Sequence, residues 1–345
     1  MRKTEQNNIG EILPELERVV NLITNTEVDY EILHEYDASQ IYVELSRGEA
    51  RENLTEDKEL FEKYFEISTA INNLAGLINS GKNLDDIRQQ LDYFSTEINT
   101  ITNNEDGLKK YVQQWQFSVE ALYYYRTGDF EKAISLTYQA IEIIDELITE
   151  YKIYSFIFRL VLQYSNLSNV YFKINDFDTA LTYREEILNY LFRGSCTLPA
   201  RSFKNDDLWN EMAFIREYNA IYFFKTTVDR LNTLKKKDMT NYARLFKRTI
   251  DPMGDIEVMT LERYYISTWI RIESEFIKQN YDTFLHLVED FFEGGINSFF
   301  KFLVVYILES IEIISGDIDL NPQGLLKAKL KYQTINEDLF HEKQL

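Results

Sequence analysis

Two stretches of this chain, residues 117–141 and 164–188, carry the same residue types in the same order at a constant offset of 47. Phe117 falls on Tyr164, Tyr124 on Tyr171, Gly128-Asp129-Phe130 on Asn175-Asp176-Phe177, and Ala133-Ile134 on Ala180-Leu181. The aromatics of each copy lie two turns apart and so share one face of a first helix. Gly or Asn followed by Asp supplies a left-handed residue and then a cap, and the small Ala lets the second helix approach the first closely. A helix hairpin that recurs at a fixed period cannot bury its faces alone and must stack on neighbours.

The rest of the sequence reads the same way. Apolar residues recur at helical spacing, as in Ile134, Ala140, Ile141, Ile144, Leu147 and Ile148, and strand-like alternation is nowhere sustained. Only 4 Pro and 12 Gly are present, too few for a fold with many tight turns. Polar punctuation at Ser80-Gly81, Asn103-Asn104, Gly128-Asp129, Asn175-Asp176, Asp251-Pro252 and Asn321-Pro322 marks helix boundaries. The expectation is an all-α chain of about fourteen helices. Its longest loops are residues 193–207 and 315–321. A composition shift near residue 105 suggests an N-terminal helical bundle over 1–105 and a repeat domain over 106–345.

At the repeated residues the chain resembles the tetratricopeptide-repeat (TPR) family. Gly128-Asp129-Phe130-Glu131-Lys132-Ala133, with Ala140 seven residues on, matches the turn and second helix of that repeat, and residues 175–180 match it again with Ile187 in place of the later Ala. The offset of 47 exceeds the family's usual period, so the helices are lengthened. A degenerate third hairpin is expected over residues 268–291, where Phe284 stands for the Ala. The resemblance implies antiparallel helix pairs stacked as an α-solenoid. In their arrangement the segments are also similar to bacterial peptide-sensing regulators built on such repeats, an analogy of topology alone.

The formal charge is −20, and it is unevenly spread: residues 201–250 hold 11 bases against 6 acids, whereas every other part is acidic. Such a field disfavours nucleic acid and anionic membrane over most of the surface and favours basic or neutral partners. The most apolar run, residues 299–308, contains Lys301 and is half the length a membrane span needs, which is about twenty residues. One cysteine, Cys196, precludes an internal disulfide, and the first residues lack the apolar core of a secretory signal. A cytoplasmic location is expected, with no cofactor.

The resemblance implies that the first helix of each hairpin lines a groove. In the second copy that face carries Asn166, Asn169 and Lys173, with Ser165 beside them; in the first it carries Tyr125 and Arg126, with Ser118 and Leu122. Amides at i and i+3 share a face and both donate and accept, as recognition of a peptide backbone requires. The same residues also read as solvated helix-face positions. Of Tyr123, Tyr124 and Tyr125, the second belongs to the aromatic pair expected to be buried, which leaves Tyr125 for the groove.

Lys225, Arg230, Lys235, Lys236, Lys237, Arg244, Lys247 and Arg248 form the basic island. It offers a patch for an acidic protein, a phosphate or a nucleic-acid strand, or else a solvated turn between helices. An enzyme reading has less to start from. Glu31 and His34 form one Glu-x-x-His element and Asp338 and His341 a looser echo, whereas a di-iron bundle needs two such elements and two further carboxylates. His286 stands apart, and Cys196 has no neighbouring His. The sequence thus favours a non-enzymatic protein- or peptide-binding scaffold. The alternatives are a factor binding nucleic acid or an acidic partner through residues 225–248, and a metal-dependent helical enzyme.

Overall fold

A computed structural model describes residues 12–29, 38–81, 83–101, 106–257, 260–316 and 322–333, the side chains of 38–41, 214, 322 and 333 excepted. The described chain is all-α: fifteen α-helices account for nearly all of its regular structure. Its only paired strands are two residues each. Its contacts divide into two bodies, residues 36–223 and residues 1–35 with 224–343, described separately below.

The first body contains α2 (Ala38–Leu54), α3 (Lys58–Ser80), α4 (Leu84–Asn99), α5 (Asp106–Thr127), α6 (Phe130–Thr149), α7 (Ile157–Lys173), α8 (Phe177–Arg193), the short α9 (Asp206–Glu211) and the start of α10 (Ala213–Lys235). Asp57 begins α3 by accepting the amides of Glu59 and Leu60 at 3.0 Å, and Gly81 ends it at φ 68°. Packing runs in chain order: α5 lies against both α3 and α6, α6 against α7, and α7 against α8. Leu108 and Val112 of α5, Ile144 and Ile148 of α6, Leu160 and Leu167 of α7, and Leu181 and Leu188 of α8 are all fully buried. The long loop after α8 is tied down by the Asp145 carboxylate of α6, which accepts the amides of Arg201 and Ser202 at 3.0 and 2.9 Å.

The second body joins the two ends of the described chain. Its elements are α1 (Leu13–Asn25), β1 (Val28–Asp29), the end of α10, α11 (Met239–Thr249), α12 (Leu261–Ile277), α13 (Tyr281–Phe292), β2 (Ile296–Asn297), α14 (Lys301–Ser315) and α15 (Pro322–Gln333). Leu16, Val19, Val20 and Ile23 form the buried face of α1, which packs on α13 and α15. Val28 and Asp29 pair in parallel with Ile296 and Asn297. Lys331 donates to the Thr24 and Thr26 carbonyls at 2.9 and 2.5 Å, which places a cation on the carbonyl end of α1. Trp269 of α12 centres the core, with the rings of Phe224, Phe246 and Tyr306 within 6.0 Å of its own.

This division replaces the expected boundary at residue 105. Composition changes there, but α5 buries one face on α3 and another on α6, so 38–101 and 106–223 share a core. Residues 12–29 instead belong with the C-terminal elements, because that is where the apolar face of α1 finds cover.

Candidate binding face and basic segment

Three helix hairpins, α5/α6, α7/α8 and α12/α13, turn in the same way. Gly128, Asn175 and Gln279 take φ of 91°, 64° and 60°. The residues that follow, Asp129, Asp176 and Asn280, sit within a few degrees of one another, at φ/ψ −85°/78°, −85°/74° and −88°/72°. Their amides reach back to the carbonyls of Tyr124, Tyr171 and Glu275 at 3.0, 2.9 and 3.0 Å, closing each first helix. Asp129 and Asp176 then cap the second helix by accepting the amides of Lys132 and Thr179, both at 3.1 Å. In the third turn the Asn280 side chain donates to Glu275 instead, at 2.8 Å. Ala133 and Ala180 are fully buried where the helices cross, and Phe284 is equally buried at the third crossing.

The aromatic pairs depart from expectation. Tyr164 is buried, but Phe117, Tyr124 and Tyr171 are half-exposed. Arg88 of α4 donates to the Tyr124 hydroxyl at 2.8 Å and lies 5.6 Å from its ring centroid, so a cation and solvent replace part of the expected apolar cover.

Along α7, Leu162, Asn166, Asn169 and Lys173 follow at helical spacing, and none is buried. The Asn169 carbonyl oxygen accepts from Arg184 Nη2 at 2.8 Å. Arg184 is itself buried, donating from Nε to Ser168 at 3.0 Å, and Ser168 donates on to the Ala180 carbonyl at 2.8 Å. Asn169 therefore has its oxygen fixed by α8. Asn166 donates to Gln163 at 3.3 Å within its own helix. Lys173 is exposed. On α5, the half-exposed Tyr125 packs edge-on against Phe130, 6.2 Å between centroids. The exposed Arg126 donates to Asn79 of α3 at 2.7 Å.

A residue that sequence reading passed over lies on the same stripe. Arg159, seven positions before Asn166, is 3% exposed. Its guanidinium lies 3.3 Å from the Trp115 ring centroid, Nε donates to Gln114 at 2.7 Å and Nη2 reaches Ser118 at 3.4 Å. Its helical register with Leu162 and Asn166 was a signal that could have drawn it in.

The basic segment is less of a patch than its sequence suggests. Lys235 is buried and forms an ion pair with the buried Glu273 at 2.6 Å, which corrects its assignment to an exposed cluster. It also donates to Ser310 at 2.6 Å, while Ser310 and Tyr242 donate to Glu273 at 3.0 and 2.9 Å. Desolvation pulls the Lys235 pKa down against the pull of Glu273. Lys225 pairs with Asp229 at 2.8 Å. Lys236 pairs with Glu312 at 2.6 Å, and Lys329 of α15 joins it on that carboxylate at 2.5 Å. Arg230, Lys237, Arg244 and Lys247 are exposed and Arg248 half-exposed. Lys236, Lys237, Met239 and Ile313 line a shallow depression of about 530 Å³.

Glu31, His34, Asp338 and His341 lie outside the described residues. Among the described residues no group of three or more His, Cys, Asp or Glu side chains forms a metal-ligand set, and no helix is long and apolar enough to cross a membrane. Cys196 is half-buried, its thiol pushed up to about 11 by that burial. Trp209 holds its loop by donating to the Tyr190 carbonyl at 2.7 Å. Compared with protein-family models, with curated proteins and with solved structures, the chain matches none.

Proposed function

We propose that the first body binds a peptide or an extended segment of a partner protein along the first-helix face of α5/α6 and α7/α8, as stacked TPR-like helix pairs do. The observation that carries this reading is the stripe Leu162, Asn166, Asn169 and Lys173. Four positions at helical spacing stay out of the core, and three of them are polar. On α5, Tyr125 and Arg126 add an aromatic and a cationic side chain outside the core, with Leu122 beside them. Because Arg184 holds the Asn169 oxygen, the amide nitrogen of Asn169 is turned to a fixed direction, where it serves as a donor to a backbone carbonyl. Lys173 adds a cation, Tyr125 an aromatic edge, and the acidic remainder of the chain selects a partner of basic or neutral net charge.

The test places a photo-crosslinking side chain at position 173 and, as a control, at the exposed position 142 of α6. A partner captured from 173 and not from 142 supports the face; equal capture from both rejects it. Asn169→Asp keeps the acceptor that Arg184 needs while removing the donor. It is expected to weaken binding of the captured partner about tenfold, the worth of one hydrogen bond to a bound chain, with unchanged melting temperature.

A further inference from the structure

Arg159 is a buried cation that forms no ion pair among the described residues. Its fork is divided: Nε is committed to the Gln114 oxygen at 2.7 Å, Nη2 has only a long contact to Ser118 at 3.4 Å, and Nη1 is fully buried with no hydrogen-bond partner. Besides burial, the groups that bear on its titration are the hydroxyls of Tyr42 and Tyr111, both neutral at neutral pH. Burial pulls its pKa down to about 10. The Tyr42 hydroxyl, whose own titration feels the charge of Arg159, is also buried and has no hydrogen-bond partner among the described residues. Stacking on Trp115 at 3.3 Å offsets part of the desolvation, since a desolvated cation over an indole is worth about 2 kcal/mol. Burying an unpaired ion costs several times that. The unspent edge of the guanidinium is the Nη1–Nη2 pair, whose two parallel donors match the two oxygens of a carboxylate.

We propose that Arg159 is a carboxylate-binding site at the floor of the α5/α7 face, entered past the half-exposed Trp115, Ser118 and Leu162. This deepens the peptide-binding reading and rests on it for the source of the ligand: an acidic side chain of the bound segment inserts between α5 and α7. The Nη1–Nη2 edge receives its carboxylate. A partner of neutral or basic net charge carrying one Asp or Glu meets both the long-range acidic field and this local cation.

The full chain is melted in sodium acetate and in sodium chloride at equal ionic strength. The wild type is expected to gain about 2–4 °C in saturating acetate, as a ligand of the folded state requires. Arg159→Met, which keeps the packing on Trp115 without the charge, is expected to gain nothing. Arg159→Lys keeps the charge but loses the fork; its acetate response is expected at tenfold higher concentration, which covers the case in which the Met variant does not fold. A wild type indifferent to acetate, or variants that respond as the wild type does, overturns the proposal. Two capped pentapeptides of alanine, with Glu or Gln at the centre, identify the source. At least tenfold tighter binding of the Glu peptide assigns the site to a peptide side chain, whereas an acetate response with neither peptide bound assigns it to a free carboxylate. Crosslinking from position 173 does not involve Arg159, so an acetate response without capture there rejects the peptide face alone, and capture without an acetate response rejects this site alone.

Discussion

Replacing Lys235 with Met tests how the second body is held together. Lys235 and Glu273 are both buried, 2% and 0% exposed, and their charges meet at 2.6 Å. Among the described residues Glu273 accepts three donors, from Lys235, Tyr242 and Ser310. Lys235→Met leaves that carboxylate facing two neutral hydroxyls, with its charge uncompensated in the core. The expected cost is about 3–5 kcal/mol, or a fall of roughly 6–20 °C in melting temperature at about 2–4 °C per kcal/mol. Adding Glu273→Leu removes the stranded charge, and the double variant is expected to recover to within about 1 kcal/mol of the wild type, because a buried pair contributes little net stability. Urea unfolding at neutral pH of the wild type, both single variants and the double variant closes the cycle. A Lys235→Met cost below about 1 kcal/mol, or a double variant as unstable as the two single costs added, would refute the reasoning that a stranded charge governs the effect.

Alkaline pH probes the first body through its tyrosines. Burial holds the Tyr111 hydroxyl up to about 12 and pushes those of Tyr42, Tyr164 and Tyr190 up as well. A folded pKa above the unfolded value, about 10, means that this stability is whole below pH 10 and is lost as pH climbs through 12; melting temperatures at pH 9 and pH 11 check the sign. The turns offer a second comparison. Gly128 sits at φ 91° with open space around an added Cβ, so Gly128→Ala is expected to cost about 1–2 kcal/mol from backbone strain alone. Asn175→Gly, at φ 64°, is expected to change stability by about 0.5 kcal/mol or less, and urea midpoints that move equally for the two would contradict this.

Local features were legible in the sequence and long-range ones were not. The turns at Gly128 and Asn175 were readable because a left-handed residue followed by a capping Asp leaves a short signature. A degenerate third hairpin was readable over residues 268–291 from Asn280 onward, but Gln279 carries no signature of the left-handed position it takes. The docking of α1 was not readable: Val28-Asp29 and Ile296-Asn297 are two-residue strands with no period to detect, and their partners lie far apart in the chain. Lys235 was misread as part of a solvated run because it precedes Lys236 and Lys237. Yet it also continues the buried positions Val228 and Leu231 at helical spacing, and that register, not its neighbours in sequence, decides where it points. The register of Asn166, Asn169 and Lys173 along one stripe of α7 was readable, but their hydrogen-bonded states were not, since the Arg184 that fixes Asn169 arrives from another helix.

Comparison of two hairpins shows what makes a face available. Counted back from the capping residue, Glu273 of α12 occupies the position of Asn169 on α7, and Ile266, Ile270 and Ile277 occupy those of Leu162, Asn166 and Lys173. The turn geometry is the same, but on α12 Ile266, Ile270 and Glu273 are buried, and the one charge among them is matched from within the body by Lys235 of α10. On α7 the stripe is polar and stays out of the core. Polarity along that stripe therefore tracks whether the chain covers its own face, which any solvated helix would also show. A ligand is signalled by a different kind of residue, one whose needs the body does not meet. Glu273 has its cation; Arg159, on the stripe of α7, has no anion among the described residues. If the face of α7 were merely solvated, a cation there would stay hydrated at the surface, and burying it on Trp115 with an unused donor edge would cost stability for no return.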